Sequence, residues 1–479
     1  MDDRSHDGDM TTTQATPPHV TSEFSVVDPS TGETIATVPD GGPAEATAAV
    51  DSASTAARAW ARTPARTRSE LLHRAFELML RDREELAALI TKENGKSPAD
   101  ARAEVTYAAE FFRWYGEEAV RTDGAYGPSP AGGARTVVTR RPVGIAALVT
   151  PWNFPAAMPT RKIGPALAAG CTVVLKPAAE TPLTALAIAR LLTEAGVPDG
   201  VVNLVTTTDA SAVVTTWLED PRVRKISFTG STGVGQILLR QAADRVVNAS
   251  MELGGNAPFV VTADADLDAA VDGAMIAKFR GGGQVCTAAN RFYVHATIAE
   301  DFLARLGKRV EALRVGASGE IGPLISAKAV SGVTKLVESA LAAGARVVAR
   351  AEIPSDGKGY FFAPVVLADV PADADIVREE IFGPVAPVLT WRDEDELLEL
   401  VNASEMGLAA YVYAGNLQDA LRLGEAIDAG MVGINRGLLS DPSAPFGGLK
   451  QSGLGREGAR EGLHEFTEIQ YLSVDWPTA

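Results

Sequence analysis

The regular alternation of apolar extended segments with helical segments between residues 143 and 253 constrains the fold more than any other feature of the sequence. Strands that alternate with helices of this length form βαβ units and a parallel sheet. The predicted strands are Val143–Thr150, Thr172–Lys176, Val201–Thr206, Lys225–Phe228 and Ser250–Leu253, and the predicted helices are Ala156–Ala169, Leu183–Ala195, Ala210–Leu218 and Gly235–Ala243. We therefore expect an α/β fold whose ligands bind outside the carboxyl ends of the strands.

The rest of the sequence predicts further elements around this sheet. Phe24–Val38 alternates about Asp-Pro and Thr-Gly, which predicts a hairpin. Apolar residues at helical spacing predict three more helices, Pro43–Ala61, Arg68–Thr91 and Pro98–Glu118. A less regular alternation after Gly255 predicts a second α/β domain. Residues 124–141 predict a β-flap that leaves the domain body, and Phe466–Val474 predicts a final strand.

Composition excludes several classes of function. Lys and Arg number 44 against 61 Asp and Glu, a formal charge of −17, so neither nucleic acid nor an anionic membrane is an expected partner. No apolar run reaches the roughly 18 residues of a membrane span. Two cysteines cannot form a disulfide framework, which indicates a reducing, cytoplasmic location. Residues 1–21 are polar and predict a disordered tail, without the features of a signal or transit peptide.

One of the two cysteines, Cys286, follows three consecutive glycines, Gly281–Gly283, and is flanked by small or polar residues. A structural cysteine usually lies in an apolar run, where it behaves as a small hydrophobe. Glycines let the backbone approach a ligand closely, at a cost in conformational entropy. The loop therefore fits either a reactive thiol or an irregular segment that happens to contain Cys.

Four other positions lie where the predicted sheet would bind a ligand. The turn from Gly230 to Gly235 opens a helix whose free N–H groups suit a phosphate, although a tight structural turn is an equal alternative. Lys176 ends a strand, where its side chain would either contact a phosphate or ribose or simply be solvated. Glu252 is either a buried general base or an exposed charge. Asn153 lies between two prolines, as an oxyanion donor or as a helix N-cap.

The inventory of histidines and cysteines limits the chemistry further. A Cys–His hydrolase needs an imidazole beside the thiol, and none of the five histidines has a local signature for that role. The sequence has no HExxH motif and no paired CxxC, so no metal site is predicted. A thiol and a carboxylate beside a nucleotide-binding sheet favour oxidation through a thioester, with a cofactor-free thiol hydrolase as the weaker alternative.

At these residues the sequence resembles the aldehyde dehydrogenase superfamily. The matching segments are PWNFP at Pro151–Pro155, GPALAAGCTVVLKPA at Gly164–Ala178, SFTGSTGVG at Ser227–Gly235, ELGG at Glu252–Gly255, GQVC at Gly283–Cys286, EEIFGP at Glu379–Pro384 and PFGGLKQSGLGREG at Pro445–Gly458. The resemblance runs from about residue 24 to the end. It implies a doubly wound NAD(P)-binding domain (22–122 and 143–252), an α/β catalytic domain (253–445) and a small β oligomerisation domain (123–142 and 446–479). A homodimer or homotetramer is thereby implied.

The resemblance also implies roles for individual residues. Cys286 matches the nucleophile that attacks the aldehyde carbon, and Glu252 matches the base that activates water to hydrolyse the resulting thioester. The Asn153 side chain and the Cys286 N–H match the oxyanion donors. Lys176 and Glu380 match contacts to the two cofactor riboses. The full set of implied cofactor contacts is Trp152, Lys176, Ala179, Gly230, Ser231, Glu380 and Phe382.

Within the superfamily the sequence is most similar to succinate-semialdehyde dehydrogenases, through FPAAMPTRK at Phe154–Lys162, AKFRGGGQVCTAANR at Ala277–Arg291 and GLLSDPSAPFGG at Gly437–Gly448. Arg161, Arg280 and Ser440 match the residues that hold the distal carboxylate of the substrate in that group. A guanidinium suits a carboxylate because it forms a planar bidentate pair. The implied reaction is oxidation of succinate semialdehyde to succinate. Glutarate semialdehyde or another ω-oxo acid is the alternative substrate, and a non-catalytic protein on the same scaffold is the alternative class.

Three departures from the pattern bear on specificity. Ala179 stands where many NAD-using members have a Glu that would repel a 2′-phosphate, which favours NADP while Glu180 next to it leaves NAD open. Ala288 replaces the second cysteine that some relatives carry, which excludes a disulfide within the loop. Arg436 adds a cation near the expected substrate mouth and would favour a dianionic or longer acid.

Overall fold

A computed structural model describes residues 22–121, 124–354 and 358–476. The predicted tail, residues 1–21, lies outside the described residues. Both the α/β class and the βαβ series are confirmed, since every strand and helix expected between residues 143 and 253 is present, with ends shifted by up to three residues.

The elements are as follows, in chain order. The strands are β1 (Glu23–Val27), β2 (Thr34–Pro39), β3 (Gly124–Pro128), β4 (Ala134–Pro142), β5 (Ile145–Val149), β6 (Thr172–Lys176), β7 (Val202–Leu204), β8 (Val223–Thr229), β9 (Asn248–Glu252), β10 (Ala257–Val261), β11 (Ala289–His295), β12 (Arg346–Arg350), β13 (Val365–Ala368), β14 (Val385–Trp391), β15 (Met406–Gly407), β16 (Ala409–Tyr413), β17 (Met431–Ile434), β18 (Leu449–Lys450), β19 (Gly453–Leu454) and β20 (Thr467–Asp475). The helices are α1 (Pro43–Arg62), α2 (Ala65–Arg81), α3 (Arg83–Asn94), α4 (Pro98–Glu118), α5 (Ala157–Ala169), α6 (Pro182–Glu194), α7 (Ala210–Glu219), α8 (Thr232–Ala243), α9 (Leu267–Ala274), α10 (Ala299–Glu311), α11 (Ala327–Ala342), α12 (Asp375–Arg378), α13 (Glu394–Asn402), α14 (Leu417–Ala426) and α15 (Ala459–His464).

The first large sheet has the strand order β19-β9-β8-β5-β6-β7, and only β19 runs antiparallel to its neighbour. Its central strand β5 is apolar and buried throughout because helices cover both faces. Ala146 and Leu148 pack towards α4 and α5, whereas Ile145 and Ala147 pack towards α1 and α7. The chain adds β6 and β7 on one side of β5 and then β8 on the other. The strand order therefore reverses between β5 and β8, and a crevice opens at their carboxyl ends.

The second large sheet has the order β12-β13-β14-β11-β10-β16-β17, with β12 antiparallel and the other pairs parallel. This sheet confirms the second α/β unit predicted after Gly255. Its strand β10 follows β9 of the first sheet after only four residues, 253–256. The carboxyl end of the first sheet is therefore tied directly to the amino end of the second.

The predicted flap and the final strand pair with each other. β20 runs antiparallel to β4, and β4 to β3, in a separate three-stranded sheet. Within the described residues 446–476, only β20 joins this sheet; β19 pairs with β9 at the edge of the first large sheet. The single helix predicted at Arg68–Thr91 is wrong, because the chain breaks at Asp82 (φ −97°, ψ 20°) and forms α2 and α3.

Candidate active site

Cys286 lies in the turn between a helical segment and β11. One π-helical turn (Met275–Phe279) and one 3-10 turn (Arg280–Gly283) precede it. The three glycines have φ values of +59°, +64° and +73°, a left-handed backbone that favours glycine. A Cβ atom on Gly283 would also lie 2.3 Å from the carbonyl oxygen of Gly383. The glycine run therefore serves a sharp turn packed closely against the segment that follows Phe382.

This turn brings the Cys286 thiol to a cavity of about 230 Å³ between the two large sheets. The cavity is lined by Pro151, Asn153, Met158, Thr229, Gly230, Ser231, Leu253, Gly254, Cys286, Glu380 and Phe382. Burial raises the pKa of the thiol to about 12, and the carboxylates of Glu380 and Glu252 add to that rise against the opposing effect of Arg161. The thiol is therefore protonated near neutral pH, and it needs a base or a rearrangement before it can act as a nucleophile.

Asn153 shares the cavity with the thiol, as predicted for an oxyanion donor. Its side-chain amide donates to the carbonyl oxygen of Gln284 at 3.0 Å, two residues before Cys286. The alternative role as N-cap does not hold, because α5 begins at Ala157 and Ala156 is its N-cap residue. The Asn153 side chain is thus directed at the loop of the nucleophile.

Two buried charges that sequence reasoning missed hold the turn around Asn153. Lys96 donates to the carbonyl oxygen of Asn153 at 2.7 Å and forms a buried ion pair with Glu104. Glu104 also accepts from the N–H groups of Ala156 and Ala157, at 2.9 and 3.3 Å. Because a buried charge is stable only when it is paired and hydrogen-bonded, these contacts fix the turn rigidly. No local sequence pattern marked either residue.

Glu252 ends β9 and is buried, with 3% of the residue exposed. Its Oε2 atom has no hydrogen-bond partner among the described residues. Burial raises the pKa of Glu252 well above its ordinary value, and the nearby Glu457 raises it further, while Arg161 and Lys162 oppose the rise. The structure therefore agrees with the buried carboxyl group that was expected rather than with the exposed charge. Glu252 does not line the cavity itself, although its charge acts on the Cys286 thiol.

Arg161 and Lys162 both bind one buried carboxylate, Glu457. The Nε atom of Arg161 lies 2.6 Å from Oε2 of Glu457, and Lys162 forms a short hydrogen bond to Oε1. Burial alone would raise the pKa of Glu457, but the two cations outweigh it and hold the pKa below its ordinary value. Arg161 also lies over the Phe446 ring, 4.2 Å from its centroid. The charge expected to hold a substrate carboxylate is therefore already matched by Glu457.

A second, smaller cavity brings together Arg280 and Ser440, two of the three predicted substrate residues. Its volume is about 150 Å³, and its lining consists of Lys96, Asp100, Ala103, Glu104, Tyr107, Phe154, Arg280, Gly281, Leu438 and Ser440. The Nε atom of Arg280 is buried without a hydrogen-bond partner among the described residues. Arg161 is not among the lining residues, but the phenol of Tyr107, which lines the cavity, is in electrostatic contact with both arginines. Tyr107 was missed because it reads as an ordinary core position of α4.

Arg436, expected near the substrate mouth, forms a hydrogen bond within its own loop. Its Nε atom donates to the carbonyl oxygen of Leu438 at 2.8 Å, and the side chain is exposed. Leu438 and Ser440 both line the smaller cavity. Arg436 therefore holds the loop that carries these residues.

The predicted cofactor residues fall into two groups. Gly230, Ser231, Glu380 and Phe382 share the larger cavity with Cys286. The others are Trp152, Lys176 and Ala179. Lys176 ends β6, and Ala179 follows it by three residues. The Trp152 ring meets the Phe382 ring edge-on, with centroids 5.5 Å apart. Ser231 is the N-cap residue of α8, so this helix begins at the cavity wall.

Burial lowers the pKa of Lys176 to about 8, against the opposing effect of Glu180. A binding pocket at the carboxyl end of a parallel sheet, beside a helix N-terminus, is the arrangement that suits a dinucleotide. Phe382 has a φ of +48°, a left-handed conformation that a residue of this type rarely adopts and that often accompanies a ligand site.

No group of three or more His, Cys, Asp and Glu side chains suited to a metal ion occurs in the described part of the chain. Within residues 22–121, 124–354 and 358–476, no helix is long and apolar enough to cross a membrane.

Fold and cavity together define a class, an α/β protein in which a half-buried cysteine faces a crevice between two mostly parallel sheets. A family model described as the aldehyde dehydrogenase family matches residues 16–472. The chain therefore belongs to the aldehyde dehydrogenase family, and the resemblance noted in the sequence is confirmed.

Individual relatives support this membership. The chain is 51% identical over 437 residues to a succinate-semialdehyde dehydrogenase of Paenarthrobacter nicotinovorans, covering 90% of this chain and 97% of the relative. It is 47% identical over 453 residues to a glutarate-semialdehyde dehydrogenase of Pseudomonas putida, covering 94% of each. A crystal structure described as an NADP-dependent enzyme of E. coli superposes with a TM-score of 0.93 at 46% identity, covering 95% of each chain.

The close approach at Gly255 generates a first prediction. A Cβ atom there would lie 2.5 Å from the carbonyl oxygen of Cys286, so Gly255→Ala must displace the backbone of the nucleophile. We expect kcat to fall by roughly 100-fold, because misplacing a reacting atom by about 1 Å has effects of that size. Steady-state kinetics and the Tm of the variant check this.

Gly332→Ala is the matched control, because a Cβ atom there meets nothing within 4 Å and the residue lies inside α11. We expect its kcat to be unchanged and its stability to rise by up to about 1 kcal/mol, the difference in helix propensity. A Gly255→Ala variant with the kcat of the wild type would show that the nucleophile does not depend on this contact.

Proposed function

We propose that the protein oxidises succinate semialdehyde to succinate with NADP or NAD as hydride acceptor. The observation that carries this proposal is the Arg280 guanidinium, which has a buried Nε atom without a partner among the described residues. It lines the smaller cavity with Ser440, and it lies six residues before the Cys286 nucleophile. The lining of this cavity of about 150 Å³ includes the Arg280 guanidinium and the hydroxyls of Ser440 and Tyr107, which suit the carboxylate end of a short aldehyde. The identities of 51% to a succinate-semialdehyde dehydrogenase and 47% to a glutarate-semialdehyde dehydrogenase add independent support.

In the proposed mechanism, the Cys286 sulfur attacks the aldehyde carbon, the thiol proton ends on the aldehyde oxygen, and a thiohemiacetal forms. The Asn153 amide and the Cys286 N–H donate to the oxygen that becomes negative in this step. An NAD(P) cofactor held by the residues of the larger cavity would accept the hydride of the thiohemiacetal, whose hydroxyl proton is lost at the same time, and the product is a thioester. Glu252 then takes a proton from the water that attacks the thioester, which releases the acid and restores the thiol.

The raised pKa of Glu252 supports its role, since a carboxyl group with an ordinary pKa is a weak base near neutral pH. Next to it, the buried Glu457 carboxylate is paired with Arg161 and Lys162. We propose that Arg161 acts mainly through Glu457 and contributes to the substrate cavity from behind Tyr107, because its charge is already paired.

For the cofactor, we propose contacts from Trp152, Lys176, Ala179, Gly230, Ser231, Glu380 and Phe382. Gly230 and Ser231 lie where the first turn of α8 meets the cavity, which suits the pyrophosphate. Lys176 and Glu380 would contact the riboses. Ala179 is half-buried and Glu180 exposed, so the position that repels a 2′-phosphate in many NAD-using members is uncharged here. This favours NADP.

We further propose that the chain forms a homodimer or homotetramer through its oligomerisation domain, within the three-domain division stated above. Strand β20 presents exposed apolar side chains at Ile469, Tyr471, Leu472 and Val474, an arrangement that favours burial against another chain. A cytoplasmic location fits the chemistry, because the Cys286 nucleophile must stay reduced.

Glutarate semialdehyde is the second candidate substrate, favoured by the 47% identity with an enzyme of that name. The two aldehydes differ by one methylene, which a cavity discriminates by about 1–3 kcal/mol. A non-catalytic role on this scaffold is opposed by the presence of Cys286, Glu252 and Asn153 in one region. A cofactor-free thiol hydrolase would produce no reduced nicotinamide with an aldehyde.

The substrate proposal predicts a selective effect of Arg280→Ala. We expect kcat/KM for succinate semialdehyde to fall by about 10- to 150-fold. This corresponds to a loss of about 1.5–3 kcal/mol of transition-state stabilisation, the range for hydrogen bonds to charged groups. Butyraldehyde, which has no carboxylate, should be nearly unaffected. Arg161→Ala should instead impair both aldehydes, because it leaves Oε2 of the buried Glu457 without its ion-pair partner.

Arg305→Ala is the matched control, because Arg305 is an exposed arginine of α10 that pairs with Asp268 at the surface. It should leave both aldehydes unchanged. Equal losses on succinate semialdehyde and butyraldehyde in Arg280→Ala would contradict the assignment of Arg280 to the carboxylate.

The cofactor proposal predicts the effect of Ala179→Glu. A carboxylate at this position faces the 2′-phosphate of NADP, and like charges in contact disfavour binding by several kcal/mol. We expect kcat/KM for NADP to fall by tenfold or more while that for NAD changes less, measured with one aldehyde at fixed pH. An unchanged NADP/NAD ratio, or a strong preference of the wild type for NAD, would show that Ala179 does not set the preference.

A further inference from the structure

Two buried asparagines bind the main chain on both sides of Glu380. Asn290 is 2% exposed and Asn256 is 4% exposed. The Asn290 amide donates to the carbonyl oxygen of Glu379 at 2.8 Å, and its Oδ1 atom accepts from the N–H of Ile381 at 3.3 Å. A single side chain therefore holds the backbone immediately before and immediately after residue 380.

Asn256 extends this grip along the same segment. Its amide donates to the carbonyl oxygens of Val377 and Arg378, at 2.9 and 3.3 Å. Its Oδ1 atom accepts from the amide of Asn290 at 2.7 Å. The two asparagines thus form one connected network, and because the donors and acceptors are buried, each bond is expensive to lose.

The two asparagines lie close in sequence to the proposed catalytic residues. Asn290 lies four residues after the Cys286 nucleophile, and Asn256 lies four residues after Glu252. The segment they hold carries Glu380 and Phe382, both of which line the cavity of the thiol. The side chain of Glu380 is fixed separately, by the N–H of Gly255, which donates to Oε1 at 3.2 Å. Nucleophile, base and Glu380 are therefore joined through short stretches of chain.

Lys278 adds a charge to the same network. It is fully buried in the π-helical turn before the loop, and its Nζ atom donates to Oδ1 of Asn290 at 3.4 Å. Its ammonium is in electrostatic contact with Glu380. A buried ammonium is stable only with a partner of opposite charge, and the Glu380 carboxylate supplies that charge.

We infer that Asn290 is a positioning residue for the cofactor, which sets the Glu380 carboxylate at the distance from Cys286 that the bound dinucleotide requires. This inference rests on the proposed function, in which Glu380 contacts a cofactor ribose. Asn290 itself does not line the cavity, so it acts through the backbone of residues 379–381.

The test is a double-mutant cycle between Asn290→Ala and Glu380→Gln, read by fluorescence titration with NADPH in the absence of aldehyde. Asn290→Ala alone should raise the Kd for NADPH by roughly tenfold, and the KM for the aldehyde should change less than the KM for the cofactor. In the Glu380→Gln background the same substitution should change Kd by less than about twofold, because two residues that act through one contact are not additive.

Asn402→Ala is the control, because its side chain also binds the main chain at two points, the carbonyl oxygen of Ala426 and the N–H of Asp428, at 2.8 and 2.9 Å. It should leave Kd unchanged. If Asn290→Ala does not fold, Asn290→Ser takes its place in the cycle, with hydrogen exchange of residues 377–382 as a second readout. That exchange should be faster in Asn290→Ser than in the wild type.

The outcomes separate the two claims. If Glu380→Gln leaves the Kd for NADPH unchanged, the proposed cofactor contact of Glu380 is wrong. If Glu380→Gln weakens binding but the Asn290 variant does not, or if their effects add fully, Glu380 keeps its proposed role and the positioning role of Asn290 is overturned. Unchanged exchange of residues 377–382 in Asn290→Ser would also overturn it.

Discussion

The buried carboxylate of Glu457 is the interaction on which the candidate site depends. It binds Arg161 and Lys162 of α5. Lys162 lies 295 residues before Glu457 in the chain. Such a pair adds little stability compared with apolar packing, but the loss of one partner leaves an uncompensated buried charge, which is strongly destabilising. The C-terminal segment is thereby fixed against the helix that follows Asn153. Glu252 is buried next to this cluster, and its raised pKa follows from that position.

Burial dominates the chemistry of the whole site. It raises the pKa values of Cys286 and Glu252 and lowers that of Lys176, so that burial favours the uncharged form of each of these groups. Two carboxylates and a thiolate could not be charged together in so small a volume. A thiol with a raised pKa is largely protonated near neutral pH, and the thiolate is the form of cysteine that is most easily oxidised.

Local patterns predicted the α/β fold and the βαβ series, because strands buried on both faces are apolar and end at recognisable turns. The glycines before Cys286 were recognisable for a related reason, since their positive φ values require that residue type. Arg280 and Ser440 came together as the resemblance implied. Lys96, Tyr107, Asn290 and Glu457 gained no predicted role, because their contacts join segments far apart in sequence and no local spacing records them. The break at Asp82 was missed because the apolar spacing continues through it.

The proposed mechanism requires Cys286 as the nucleophile and Glu252 as the base that activates water to hydrolyse the thioester. The most direct measurement is rapid mixing of the Glu252→Gln variant with cofactor and succinate semialdehyde, with reduced nicotinamide followed by absorbance. We predict a burst of about one equivalent per active site, then almost no turnover, with an acyl group trapped on Cys286 and detectable by mass spectrometry. Steady turnover at the rate of the wild type, or a burst that persists in Cys286→Ala, would contradict the account.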